Sequence, residues 1–203
     1  METKKALEGV RVADFGWVWA APYCTSLLGY LGAEVIKIES RRRVDQTRQG
    51  SIMNGDTFEG VNSSPTFNNA NLNKKGVSID ITTEKGQEIA RRLVAQCDVV
   101  VANMRPGKMD KLHLGYEDLK KVKPDIIMLE STGFGVTGPY RGFAGFAPIF
   151  ASMGGLANLT GYTDGAPNPM SGVQDLRAAT QAAYAILAAL YHRKKTGEGQ
   201  YID

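Results

Sequence analysis

The feature that most restricts how this chain can fold is an alternation running through residues 10–132. Short β-branched or apolar runs take turns with stretches of helical period. "VRVADFG" (10–16) is β-branched and stops at Gly16. From Pro22, Leu27, Leu28 and Leu31 recur at helical spacing up to Gly32. "EVIKIE" (34–39), "GVSIDI" (76–81), "DVVVANM" (98–104) and "DIIMLEST" (125–132) read as further strands. The run at 98–104 is continuously apolar, as a strand buried on both faces requires. "TTEKGQEIARRLVAQC" (82–97) opens with a threonine cap and Glu84 and sets Ile89, Leu93 and Val94 on one apolar face; "YEDLKKVKP" (116–124) is a helix closed by Pro124. Strands alternating with helices of this length imply right-handed crossovers. The expected fold is therefore α/β, a Rossmann-like parallel sheet with helices on both faces.

Beyond residue 132 the character changes. Residues 133–174 are rich in Gly, Pro and Ala, a long Ala-rich helix is predicted over 176–192, and "QYID" reads as the start of another strand. A strand start is a poor place for a domain to finish, so the chain is expected to be the front part of a longer polypeptide.

In such sheets ligands lie at the carboxyl ends of the strands, which directs attention to "GWVWAAP", "SRRRVDQTR", "NMRPGKMDK" and "GFGVTGPYRG". No GxGxxG follows the first strand, and GxxxxGK[ST], HExxH and GxSxG are all missing from the sequence. His113 and His192 read as structural, the second as a cation suiting a helix C-terminus. "NMRPG" (103–107) is either a plain strand-to-helix turn or the place where Asn103 and Arg105 meet a polar ligand. In "SGVQDLRAATQAAYAILAAL" (171–190), Asp175 stands before an alanine helix as an N-cap, as a nucleophile, or as both. Free N–H groups and the positive helix end favour the ionised carboxyl that a nucleophile needs.

Bulk properties exclude several classes. The 203 residues are 43% hydrophobic and 22% charged, ordinary for a globular chain. No apolar run approaches the ~18 residues of a membrane helix, and "METKKALEGVRV" lacks the apolar core of a signal peptide. Cys24 and Cys97 have no metal-ligand spacing, so no metal and a reduced, cytoplasmic setting are expected. A net charge of +3 is too small to suggest nucleic acid. The cluster at 40–48 reads as a solvated loop or as a contact for the phosphates of a small ligand.

Taken together, "LEGVRVADFGWVWAAPYCTSLLGYLGAEVIKIES", "NLNKKGVSIDI", "CDVVVANMRPG", "GFGVTGPYRG" and "AAYAILAALYHRKKTGEGQYID" resemble the family III CoA-transferases, relatives of the 2-methylacyl-CoA racemases. The likeness runs in order from Leu7 to Asp203. It implies residues 1–140 as the Rossmann-like CoA-binding portion and 141–203 as the active-site segment with the long helix. It also implies CoA and acyl-CoA as substrates, exchanged with a small carboxylic acid. Asp175 would attack the thioester to give an aspartyl anhydride and then an aspartyl-CoA thioester. The CoA contacts it implies are Val18, Trp19 and Ala20, Ser40 with Arg41, Ile79, Asn103, Met104 and Arg105, Lys111, and Phe146.

Three departures qualify the resemblance. Phe146-Ala147 stands where racemases carry a His–Asp pair, which disfavours racemase chemistry. Arg177 interrupts the family's usual sequence after the nucleophile; it reads first as an exposed helix-surface arginine, with a substrate carboxylate as the other reading. Family members are also much longer, their second half covering the active site and building an interlocked dimer. A homo- or heterodimer is expected, and a CoA-binding subunit without catalysis is the alternative from another class.

Overall fold

The computed structural model describes residues 4–49, 60–170 and 172–203. Its frame is a six-stranded, wholly parallel sheet in the order β3-β2-β1-β4-β5-β6. The strands are β1 (Arg11–Asp14), β2 (Glu34–Glu39), β3 (Lys74–Ser78), β4 (Val99–Ala102), β5 (Ile127–Glu130) and β6 (Gln200–Ile202). The helices are α1 (Ala20–Tyr30), α2 (Pro65–Ala70), α3 (Glu84–Val94), α4 (Lys108–Lys111), α5 (Tyr116–Val122), α6 (Ala147–Met153), α7 (Leu156–Leu159) and α8 (Val173–Thr196). No helix among the described residues is long and apolar enough to cross a membrane.

Side chains of the central strands alternate between two cores. Val12, Val99, Val101, Ile127 and Leu129 face α1 and α8; Ala13, Val100, Ala102 and Met128 face α3 and α5. A one-residue slip in register would exchange the two sets, so burial on both faces fixes the pairing. Cys24 lies in the first core and Cys97 in the second, both as free thiols. Burial pushes them up to about 12 and about 11, leaving both protonated and inert at neutral pH.

α8 is a day-to-day alanine helix with a decisive placement. Ala179, Ala183, Ile186 and Ala189 form its buried stripe, small enough for close packing on α1. At its far end Arg193 bonds Asp98 Oδ1 at 2.7 Å and the carbonyls of Asp98 and Asp125 at 3.3 Å. Those two residues precede β4 and β5, so the C-terminus of α8 is tied to the amino edge of the sheet. Its N-terminus, with Asp175, points toward the carboxyl edge.

Several boundaries differ from expectation. α8 begins at Val173, so Gly172 (φ 88) is its cap and Asp175 lies within the first turn rather than at the N-cap. Val173 and Gln174 simply join the helix. α1 starts at Ala20, ahead of Pro22, because a proline costs nothing in a first turn whose N–H groups lack partners. β3 starts at Lys74 and ends at Ser78, since Asp80 leaves the ladder to bond Thr82. Ile89 is exposed; α3 instead buries Gly86, Gln87, Ala90 and Val94. The Thr83 cap and the early Glu84 are as expected, with the Thr83 hydroxyl accepting from the Gly86 N–H.

Candidate active site

The sheet reverses its strand order between β1 and β4, the place where open parallel sheets bind their ligands at the carboxyl edge. The loop after β1 is held from every side. The Asn103 side chain accepts from the Trp17 N–H and donates to the Trp17 carbonyl, both at 2.8 Å. Lys37 donates to the Gly16 carbonyl at 2.6 Å, and Asp45 accepts from the Val18 N–H at 3.1 Å. Asp14 accepts from the Gly16 N–H at 2.8 Å. Gly16 has no room for a side chain, because a Cβ would lie 2.6 Å from that of Ala21. Val18, a β-branched residue at φ 66, is held in the left-handed region at a cost of about 1–3 kcal/mol.

Two cavities open on this edge. The first, about 380 Å³, has an apolar floor that includes Ile38, Ile79 and Leu112, with Arg42, Arg43 and Lys108 around it. The Arg43 guanidinium stacks 4.9 Å from the Trp17 ring centre, and Arg42 lies 3.5 Å from Asp80. Arg48, from the same basic cluster, makes a two-pronged pair with Glu39 at 2.7 and 2.8 Å and stacks on Phe67 at 3.4 Å. One cluster thus divides its work: Arg48 anchors the loop, while Arg42 and Arg43 face the groove.

The second cavity, about 620 Å³, is lined by Asp175, Gln174, Arg177, Ala178 and Gln181 from α8, by Ser131–Gly133 after β5, and by Arg141 and Phe143–Phe146. Asn103, Met104 and Arg105 line both cavities, so the two adjoin along this turn. Phe150 packs so closely that a Cβ on Gly145 would meet its ring at 2.5 Å. Thr132, in the same lining, has a buried hydroxyl with no hydrogen-bond partner among the described residues. Asp175 is half-buried with no hydrogen bond to its carboxyl among the described residues, and burial alone pushes its pKa up. The first turn of α8 opposes that by favouring the charged form.

The structure brings Ser40, Ile79, Asn103, Met104, Arg105, Phe146, Ala20 and Asp175 to these adjoining cavities. Val18 and Trp19 lie in the adjoining loop without lining either. Arg41 is exposed away from the groove, with Arg42 and Arg43 there instead. Lys111 lines a separate surface depression with Arg91 and His113, and Lys108, one turn earlier, faces the first groove. Sequence reasoning missed Arg141, Phe143, Thr132 and Gln181, which sit in a glycine-rich stretch or on an ordinary helix face. It also missed the scaffold formed by Asp14, Lys37 and Asp45. There one signal existed: Lys37 is a charge between the two isoleucines of β2.

Both cavities thus carry cations, Arg42, Arg43 and Lys108 in the first and Arg141 and Arg177 beside Asp175 in the second, with Arg105 in both. A family model described as CoA-transferase family III matches residues 7–203. The chain belongs to CoA-transferase family III. It is 43% identical to succinyl-CoA:glutarate CoA-transferase of Mus musculus, a match covering all of this chain and 45% of that protein. It is 39% identical to the β subunit of succinyl-CoA–L-malate CoA-transferase of Chloroflexus aurantiacus, covering 99% of this chain and 49% of the other. A CAIB/BAIF family protein from Brucella suis superposes with a TM-score of 0.88 at 37% identity, over 99% of this chain and 53% of that one. The chain spans about half the length of the curated relatives it matches.

Proposed function

We propose that this chain carries the CoA site and the nucleophile of an enzyme that moves CoA between an acyl-CoA thioester and a carboxylic acid. Residues 1–140 hold the nucleotide and 141–203 supply the reacting carboxyl. The observation that carries the reading is the position of Asp175: a half-buried carboxyl in the first turn of α8, without a hydrogen-bond partner among the described residues, in a cleft that adjoins the first groove.

A carboxylate oxygen of Asp175 attacks the thioester carbonyl carbon, the C–S bond breaks, and CoA leaves as thiolate, giving a mixed anhydride. The thiolate attacks the aspartyl carbonyl and expels the donor acid as its carboxylate. The acceptor carboxylate then attacks the aspartyl thioester to form a second anhydride and releases the thiolate. Attack of that thiolate on the acceptor's acyl carbon gives the new acyl-CoA and restores Asp175. Every step exchanges a carboxylate for a thiolate, so no proton has to be carried. The described lining suits this, because Asp175 is its sole carboxyl and it holds no His, Lys, Cys or Tyr. A racemase needs groups that remove and return a proton, and Phe146-Ala147 offers none.

The relatives' names, succinyl-CoA with glutarate or L-malate, support transfer of CoA between acids. The apolar side chains of Leu159, Tyr162 and Tyr184, each at least 75% exposed, support a further half or partner subunit over the α7–α8 face. The test uses the natural full-length protein with any partner subunit. It is incubated with acyl-CoA donors and then hydroxylamine, and the Asp175 peptide is weighed by mass spectrometry. A hydroxamate on Asp175, missing in Asp175→Ala, is the expected result. CoA exchange proceeding without that adduct would refute the mechanism, and CoA binding with neither exchange nor adduct would favour a binding subunit.

A further inference from the structure

The cleft around Asp175 holds more positive charge than acyl exchange uses. Arg105, Arg141 and Arg177 all line it, against a single carboxylate. Elsewhere Arg11, Arg48 and Arg193 are engaged in ion pairs. The side chains of the three cleft arginines have no hydrogen-bond or ion-pair partner among the described residues. The phosphates of CoA have cations of their own in the first groove, namely Arg42, Arg43 and Lys108. Arg105 lines both cavities and can serve at their junction. Arg141 and Arg177 line the nucleophile's cleft and not the nucleotide groove, which leaves them without a task in the chemistry above.

We infer that Arg177, assisted by Arg141, receives the second carboxylate of a dicarboxylic acyl group, so that the acids exchanged are dicarboxylates. This rests on the reading of Asp175 as nucleophile. On a helix, positions two apart lie about 200° around the axis and about 3 Å along it. Asp175 and Arg177 therefore do not pair with each other; they stand at opposite edges of a strip made by Gln174, Ala178 and Gln181, which also line the cleft. Ala178 leaves the middle of that strip low. A short methylene chain with a carboxyl at each end fits across it, one end at Asp175 and the other at the guanidinium. Phe143 and Phe146 flank the same cavity and can cover the methylenes. A guanidinium matches a carboxylate with two parallel charge-assisted hydrogen bonds. A monocarboxylic acid of the same length leaves that arginine unpaired. Arg177 is exposed and also lines the cleft.

The test measures kcat/KM of the natural full-length protein for succinate and glutarate against butyrate and pentanoate as acceptors, from one acyl-CoA donor. The wild type is expected to favour the dicarboxylates. Arg177→Gln should lower the dicarboxylate-to-monocarboxylate ratio by about 10- to 100-fold, mostly through KM, as loss of a charge-assisted pair implies. Arg177→Lys should restore part of the ratio, and Arg141→Gln should show a smaller fall. A wild type indifferent to the second carboxylate, or a ratio unchanged in both glutamine variants, overturns this inference alone. No transfer to any acid and no adduct on Asp175 overturns the underlying reading, and the inference with it.

Discussion

Asn103 and Trp17 exchange two hydrogen bonds of 2.8 Å, the side-chain amide of one imitating a strand partner for the backbone of the other. The clasp lies where β1 and β4 end, and it holds the loop that presents Trp17 to Arg43. Asn103→Ala leaves a backbone N–H and a carbonyl without these partners, a loss of about 1–3 kcal/mol. CoA affinity, measured by calorimetry, should fall about tenfold as the groove loosens. Unchanged affinity with a lowered melting temperature would reduce the clasp to a purely structural one.

Asp14 and Lys74 form an ion pair at 2.9 Å with both side chains shielded from solvent. Asp14 also accepts from Thr25 and from the Gly16 N–H, and Lys74 donates to the Pro22 carbonyl and to Asn71. Burial alone would raise the Asp14 pKa, but the charges of Lys74 and Lys37 outweigh it and hold the carboxyl below its ordinary value. A depressed folded pKa means stability present above the unfolded value near 3.8 and lost as pH falls through the folded pKa. Asp14→Ala should cost about 3–5 kcal/mol in urea unfolding at pH 7, because it strands a buried ammonium. Lys74→Met in the same chain should recover part of that loss; additive losses would show the pair to be uncoupled.

The strands and the doubly wound class were legible because both faces of β4 and β5 are apolar, and that pattern survives in sequence as runs such as "DVVVANM". The start of β3 was not, since Lys74 is buried inside a strand only by virtue of Asp14, sixty residues away. Asp175 could be singled out because a lone carboxyl before an alanine helix is conspicuous. Its true helical position could not, because Gly172 caps the helix through backbone conformation and leaves no side-chain signature. Arg141 was hidden, and Arg177 left open between surface and substrate, for a different reason. An arginine on a helix face or in a glycine-rich loop has the same sequence appearance whether it faces water or a cleft, and only the path of the chain over 131–146 separates the two.

Glu130 gives a pH effect of the opposite sign. It is 4% exposed, one oxygen accepts from the Tyr201 hydroxyl at 2.8 Å, and the other has no partner. Burial pushes its pKa up, with Asp110 and Asp203 adding to the rise and Tyr201 opposing it. The folded state then binds the proton more tightly than the unfolded chain, so stability falls as pH rises from about 4.5 through the folded pKa. Glu130→Gln keeps a group able to accept from Tyr201 and removes the charge. Its melting temperature should exceed that of the wild type at pH 8 and converge with it near pH 4. Parallel curves at all pH values would mean that Glu130 ionises in the fold at no cost.

Asp175 must be ionised to attack, yet burial favours its neutral form, and no hydrogen bond among the described residues offsets this. The rate of adduct formation should therefore rise with pH on the acid side, through a midpoint above the ordinary aspartate value of 3.8. The first turn of α8 keeps that rise modest by favouring the carboxylate. Asp175→Asn should abolish the adduct altogether, since an amide is not a competent nucleophile. Asp175→Glu keeps the charge but shifts the attacking oxygen by about one methylene, which should cost about 100-fold in kcat. A wild-type profile flat across the acidic range, with adduct still forming, would mean that the attacking group titrates well below the value expected for this half-buried carboxyl.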